Sequence, residues 1–484
     1  MASIIAEIFG SFPGHHHRTS ATSLSSAVAA TPTADGVDRI SALPNDLLRE
    51  IVSRLPVRDA ARTAVLASRW RGLWRSTPLV LRDDDLFPAS QDDSETARAA
   101  ASARIGRVLA DHPGHFAMVH LTRSAFASRE AELAEWAGLL VDKGVRDLVL
   151  YDDIDPTAPV PRVRLPADIL RCASLRRLFL GTWTFPDIAG AHVFPELKEL
   201  GLCSTDTGDH DLDHMLACSP KLETLSIVFT VMPGCVRIRS KSLQCMLFLM
   251  SSAKEIAVLD APRLQRLIMH EAWKHFGWDA TIVVKIGRAP ELSVLGYLVP
   301  AAHQLRIGNV VINAETRESP SSILPSVKIL GLRVNFSVFK DVNMMPSFLR
   351  CFPNVETLHI QSAFAGEATG SHLAEFWLEA RPIECLRCHT KKIVIHEFRG
   401  NQGEFEFLQF IANNRAEKMD SVLLLWNEEK HSSLSEDGVV EIKRRLDHTL
   451  MAARCIVLLQ GPKAEKYFDV PRLSDLSVQD PFSM

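Results

Sequence analysis

Apolar residues recur along this chain with two different periods. Between residues 38 and 76, Leu47, Leu48, Ile51, Val52 and Leu55 follow helical spacing. Pro44 suits a first helical turn, where a missing N–H costs nothing, and Pro56 ends the run. Asp59 is placed to cap a second helix, whose apolar side carries Ala60, Ala64 and Val65. Ser68 is placed to cap a third, short helix with Trp70, Leu73 and Trp74.

From 116 to 360 the pattern becomes apolar-x-x-apolar-x-apolar. It begins at Phe116, Val145, Leu175, Leu197, Leu222, Leu243, Leu264, Leu292, Val327 and Val355, at intervals of 21 to 35 residues. A proline stands two residues before six of these, at Pro195, Pro220, Pro262, Pro290, Pro325 and Pro353. Each copy predicts a short strand that buries alternate residues, such as Leu222, Leu225 and Ile227. A helix or irregular turn brings the chain back, as at Leu212 to Cys218. One such unit cannot bury its own face, so neighbours must stack, which predicts a solenoid.

Further on, Ile393, Val394 and Ile395 predict a strand, Glu404 to Ala412 a helix, and Val422 to Leu425 a second strand.

The three-helix module is too small to be stable alone. Its tryptophans and its Leu, Ile and Val row exceed what its own core can use. That surplus predicts either a partner protein or packing onto the following domain. The string Leu43-Pro44-x-Asp46-Leu47-Leu48-x-x-Ile51, then Leu55-Pro56-Val57-Arg58-Asp59-Ala60, then Val65-Leu66-x-Ser68-Arg69-Trp70-x-x-Leu73-Trp74 resembles a plant-type F-box. The resemblance implies docking on the Skp-type linker of a Skp–cullin–F-box ubiquitin ligase. Carried over by position, Leu43, Pro44, Ile51, Leu55, Val65 and Trp70 would contact that linker, with Trp74 beside them or turned toward the repeats.

The repeats resemble the irregular leucine-rich repeats of plant F-box proteins. The Asn or Cys expected after each strand is mostly missing, although Cys203 follows one. The order strand, Phe398-Arg399-Gly400, Glu404-Phe405-x-Phe407-Leu408-x-Phe410 resembles the FBD domain, with Thr390 where that family usually has Leu. In the family the repeats recruit a target protein.

Composition narrows the picture. The 484 residues allow two to four domains, and 46% hydrophobic with 23% charged residues is ordinary for a globular chain. A net charge of −4 and a pI near 6.5 predict no general pull toward nucleic acid or anionic membrane. Seven arginines lie between Arg49 and Arg75, but Asp46, Glu50 and Asp59 interleave with them, which predicts a solvated polar face. No apolar run approaches the roughly 18 residues of a membrane-spanning helix. Nine scattered cysteines, an odd number, predict free thiols in a reducing compartment. Residues 1–36, rich in Ala, Ser and Thr and carrying His15, His16 and His17, predict a disordered tail.

Several motifs suggest chemistry. Cys385-Leu386-Arg387-Cys388-His389 matches the haem-attachment pattern, but it is short and leads into a buried strand, so Cys385 is expected to pack apolar. His210 and His214 share the i, i+4 spacing of a metal pair, but Asp209 or Asp211 reads better as the cap of that helix. Asp83, Asp84 and Asp85 are expected in a solvated linker. No phosphate loop, nucleophile elbow or HExxH pair occurs.

The expected architecture is α/β and multidomain. A disordered tail over 1–36 leads into an all-α F-box over 37–79 and an α/β leucine-rich-repeat solenoid over 80–378. An α/β FBD segment over 379–460 and a C-terminal tail over 461–484 follow. The expected function is a non-catalytic substrate adaptor, with no cofactor or metal. Its partners would be a Skp-type linker, through it a cullin, and an unknown protein target on the repeats. Nucleus or cytoplasm is the expected compartment. The alternatives are a small-molecule co-receptor on the same scaffold, or an F-box protein acting outside a ligase.

Overall fold

The computed structural model describes residues 40–483 apart from 41, 88–93, 125, 127–128, 153–161, 187–193, 233, 272–280, 314–321, 364–372, 414–417, 428–431, 433–435, 451–454 and 462–469. The tail expected over 1–36 lies outside the described residues. The chain divides into two compact units, one of residues up to Thr207 with Cys218–Leu222, the other of Gly208–Ala217 with everything from Glu223 onward.

The first unit opens with three helices, α1 (Asn45–Arg54), α2 (Val57–Thr63) and α3 (Ser68–Ser76). Pro44 and Pro56 occupy the N-caps of α1 and α2, and Ala67 that of α3. Ser68 and Asp59 therefore lie inside their helices rather than capping them. Proline satisfies an N-terminus by having no N–H to orphan. Five parallel strands follow in the order β1 (Leu79–Arg82), β2 (Phe116–Leu121), β3 (Asp147–Tyr151), β4 (Arg177–Gly181) and β5 (Glu199–Cys203). Helices α4 (Glu95–Asp111) and α5 (Glu130–Asp142) return the chain between the first three. Leu148, Leu150, Leu178, Leu180, Leu200 and Leu202 are at most 1% exposed. Each contributes about 2 kcal/mol by leaving water.

The second unit begins with α6 (Asp209–Ala217), the helix expected from Leu212. Nine parallel strands then lie side by side: β6 (Thr224–Val228), β8 (Cys245–Leu249), β10 (Arg266–His270), β12 (Val294–Leu298), β15 (Ile329–Val334), β16 (Thr357–Ser362), β17 (Lys392–Phe398), β18 (Ser421–Trp426) and β19 (Ile456–Gln460). All ten patterned segments of the sequence are strands of the two units.

The return path in the middle differs from the expected helix or turn. Here β7 (Cys235–Arg239), β9 (Glu255–Asp260), β11 (Ile282–Arg288), β13 (His303–Ile307) and β14 (Val310–Val311) build a second, five-stranded sheet. Burial alternates along β11, where Ile282, Val284 and Ile286 face inward, and its β-branched residues suit a half-buried strand better than a helix. Helical returns resume with α7 (Phe339–Arg350), α8 (Leu373–Glu379) and α9 (Glu384–Cys388), then α10 (Gln402–Asn413) and α11 (Glu436–Leu450).

Two devices replace the missing Asn or Cys. The residue directly after a strand turns left-handed at Thr182, Ser204, Phe229, Met250 and Glu271, with φ between 43° and 66°. One residue further on, a side-chain donor reaches the preceding strand. Trp183 Nε1 donates to the Leu150 carbonyl (2.9 Å), and the hydroxyls of Thr205 and Ser251 lie within donating distance of the Leu180 (3.2 Å) and Ile227 (3.3 Å) carbonyls. Hydroxyl and indole thus do the work of a repeated amide.

The FBD-like strand, helix and strand appear as β17, α10 and β18, and they extend the sheet beyond β16. Thr390 takes the inward position of the usual Leu, fully buried, and its hydroxyl lies 3.0 Å from the carbonyls of both Val355 and Cys385. Asp83, expected in a solvated linker, is 1% exposed. Its carboxylate accepts from the amides of Thr122 (2.9 Å) and Arg123 (2.8 Å) and from the Ser124 hydroxyl (3.1 Å). It closes the turn after β2, a tertiary role that a run of three acids does not announce. Residues 470–483, within the segment set apart as a tail, are docked. Helix α12 (Val470–Ser474) buries Val470 and Leu473 and packs on β8.

Candidate functional site

The helical module has two apolar faces. On α1, Leu48 and Val52 are fully buried, whereas Leu47 and Ile51 are 52% and 40% exposed. Each pair is spaced i, i+4, so one stripe faces the module's core and the other faces solvent. After α2, Val65 and Leu66 are 87% and 69% exposed, and Ile40 is 58% exposed. Five of the large exposed apolar side chains of the described residues fall within these 27 positions. Exposed apolar side chains this close together are uncommon on an isolated domain.

Among the residues assigned to the linker from the F-box pattern, Ile51, Val65 and Pro44 are exposed, and Leu43 and Leu55 are half-buried. Trp70 is 4% exposed and points into the module. Trp74 is half-buried, its ring edge-on to His112 with centroids 5.0 Å apart, so it leans on the following structure rather than outward. Leu47 and Leu66 stand in the F-box pattern but not among the residues it assigns to the linker. The signal was present in the doubled stripe of α1, where Leu47 and Leu48 cannot both face inward.

The chain entering α1 is held from α3. Arg69 donates through Nε to Asn45 Oδ1 (2.8 Å) and through Nη2 to the Leu43 carbonyl (2.6 Å). The three interleaved acids pair locally: Asp46 with Arg49 (3.0 Å), Glu50 with Arg54 (2.6 Å) and Asp59 with Arg62 (3.1 Å). These exposed pairs keep the polar side solvated and add little stability.

A second surface lies on the nine-stranded sheet. Strand register places Cys245 beside Arg266, Arg266 beside Val294, Val294 beside Ile329, and Ile329 beside Thr357. His359 follows Thr357 by two and pairs with Val394, and His396 follows Val394 by two. Cys245, Arg266, His359 and His396 therefore share one face of the sheet. His359 is fully buried and lies 3.0 Å from His396 Nε2 through Nδ1, and 3.0 Å from Asp480 Oδ2 through Nε2. Burial alone would raise the Asp480 carboxyl, but its hydrogen bond to His359 and the charge there prevail and hold it below the usual range.

The motifs that suggested chemistry have structural roles. Cys385 is 1% exposed, with its thiol 3.5 Å from the Leu349 carbonyl. Asp209 and Asp211 both lie inside α6 rather than at its cap position: Asp211, in the first turn, accepts through Oδ2 from the Gly208 amide (2.9 Å), and Asp209 from the Cys235 amide (2.9 Å). Among the described residues no group of three His, Cys, Asp or Glu side chains is arranged to hold a metal. None of their helices is long and apolar enough to cross a membrane.

Comparison with known proteins agrees with this geometry. A family profile for the F-box domain matches residues 40–82. One described as "FBD-associated F-box protein At5g56370, LRR repeats" matches residues 133–360. The F-box/LRR-repeat protein At3g26922 of Arabidopsis thaliana is 31% identical over 192 residues, 39% of this chain and 59% of that protein. The FBD-associated F-box protein At4g13985 is 24% identical over 445 residues, 82% of this chain and 95% of that protein. The F-box/FBD/LRR-repeat protein At1g13570, also of Arabidopsis thaliana, is 25% identical over 391 residues, 77% of this chain and 88% of that protein. The chain thus carries an F-box before FBD-associated leucine-rich repeats and is similar to plant F-box/LRR/FBD proteins.

Proposed function

We propose that the chain is the target-recognition adaptor of a Skp–cullin–F-box ubiquitin ligase. The observation that carries this is the solvent-facing apolar surface of Leu47, Ile51, Val65 and Leu66 on a module that matches the F-box profile. That surface binds a Skp-type linker, and the linker brings a cullin. The repeats hold a target protein. Ubiquitin transfer to the target then proceeds at high effective concentration, with the reacting groups on other subunits. The chain itself supplies position and no catalytic group.

The cysteines support work in the nucleus or cytoplasm. All nine are free, and burial pushes the thiols of Cys203 and Cys245 up to about 12, which keeps them unreactive.

The test is co-elution of the full chain with a Skp-type linker, and then with the cullin. The comparison is a Val65→Asp, Leu66→Asp double variant, whose sites are too exposed to upset the fold. Binding that the variant loses, with an unchanged circular dichroism spectrum, is the expected result. No binding by the intact folded chain would sink the adaptor reading.

A further inference from the structure

Residues 470–483 lie across the face of the second unit that carries Cys245, Arg266 and His359. The guanidinium of Arg266, 3% exposed, donates through Nη1 to the Leu473 carbonyl at 2.8 Å and through Nη2 to the Val478 carbonyl. The Cys245 thiol lies 3.8 Å from the Leu473 carbonyl. Asp480 meets His359 at 3.0 Å. The Phe482 ring, 6% exposed, stands 4.9 Å from that of Tyr297 and 5.4 Å from that of His359, centroid to centroid.

These contacts follow the logic of peptide recognition. Arg266 reads main-chain carbonyls, one at the end of α12 and one in the turn after it, which the end of any short helix offers. Two side chains carry the sequence information: a carboxylate on His359, and an aromatic ring between Tyr297 and His359. Arg266 is in no described ion pair. The carboxylates that act on it through space, Asp475 and Asp480, both belong to the segment. A buried cation whose hydrogen bonds all go to one segment gains a vacant, anion-favouring site when that segment leaves.

We propose that this face is a peptide-binding surface for a helix-and-turn segment of a target protein with an acidic residue two positions before an aromatic one. Residues 470–483 are then its resident occupant, with Asp480-Pro481-Phe482 standing in for the target. The proposal rests on the reading that the repeats hold the target, and it names what they recognise. A target must displace the chain's own segment, so occupancy of the face is a competition whose threshold is set by the tethered copy.

The test begins with the folded full chain carrying a protease site between 462 and 469, cut after purification. The probe is a fluorescein-labelled synthetic peptide of residues 470–484, followed by anisotropy. Exchange into the cut chain is expected, with the uncut chain binding about tenfold or more weaker because its own copy competes. Peptides with Asp480→Asn or Phe482→Ala are expected to bind about tenfold weaker, and Arg266→Ala in the chain to weaken every peptide. No exchange, or binding indifferent to both peptide changes, would overturn the proposal. Binding of the Skp-type linker is measured on the same samples. If it persists when the peptide fails, this inference falls and the adaptor reading stands. If it alone fails, the reverse holds.

Discussion

Arg69 Nη2 donates to the carbonyl oxygen of Leu43 across 26 positions of chain, and Arg69 Nε holds Asn45 at the same time. This fork ties the segment entering α1 to α3, so it orients Leu43 and Pro44 without either making a side-chain bond. Arg69→Ala is expected to cost about 1 kcal/mol of stability, since the site is exposed, and to weaken the Skp-type linker about tenfold. Arg69→Lys keeps the charge and loses the planar fork, and it should recover less than half of that binding energy. Calorimetric titration of the two variants against the linker checks this. Equal affinity for Arg69→Ala and the parent chain would remove the orienting role.

The doubled stripe of α1 separates folding from binding. Leu48→Ala removes a fully buried side chain and is expected to lower stability by about 2–4 kcal/mol. Leu47→Ser, at a position 52% exposed, should change stability by no more than about 0.5 kcal/mol while weakening the linker about tenfold or more. Urea midpoints and linker titrations on both variants are the measurements. A stability loss at Leu47 as large as that at Leu48 would mean that the outer stripe packs rather than docks.

Much of this was legible because strand and helix periods are local. The ten patterned segments predicted ten strands. The order Ile393-Val394-Ile395, Glu404 to Ala412, Val422 to Leu425 predicted the later strand, helix and strand. The second sheet was not legible. Its strands lie between the repeated segments, and Cys235–Arg239 alternates over only five residues without the repeated leucine pattern that marked the main strands. Nor was the fate of residues 470–483, because Asp480 acquires its partner 121 positions away and nothing near it in sequence points to His359. Asp83 was misread for the same reason. Its donors begin at Thr122, and a carboxylate's burial is decided by the turn that closes over it.

Ser251 tests the hydroxyl that stands in for a repeated amide. Its Oγ accepts from the Thr230 amide (3.0 Å) and lies within donating distance of the Leu249 (2.8 Å) and Ile227 (3.3 Å) carbonyls. Ser251→Ala leaves a buried N–H without its acceptor, at a cost of about 1–3 kcal/mol. Hydrogen exchange should speed first at the Thr230 amide, and a uniform loss of protection across the unit would argue against a local role.

The pH dependence of the first unit turns on two buried groups of opposite sign. His112 sits edge-on between Trp74 and Phe116, at centroid distances of 5.0 and 5.2 Å, and burial, with Lys143 nearby, lowers it to about 4. The unfolded imidazole takes up a proton near its ordinary value while the folded one does not. Stability from this group is present above that value and lost as pH falls through about 4. Burial raises Asp83 to about 6, against the pull of its amide and hydroxyl donors. The folded carboxyl keeps its proton where the unfolded one has released it. Stability from that group is present below the ordinary carboxylate value and lost as pH rises through about 6. Each group contributes about 3 kcal/mol and the windows overlap, so in the parent chain the two effects largely cancel between pH 4 and 6. Asp83→Asn keeps an acceptor and drops the titration, so relative to the parent its stability should fall more steeply as pH is lowered. His112→Phe keeps a ring between Trp74 and Phe116, and its stability should fall as pH is raised over the same range. Urea midpoints followed by tryptophan fluorescence at half-unit steps decide it. Parallel profiles for the two variants would show that neither group titrates across this window in the fold.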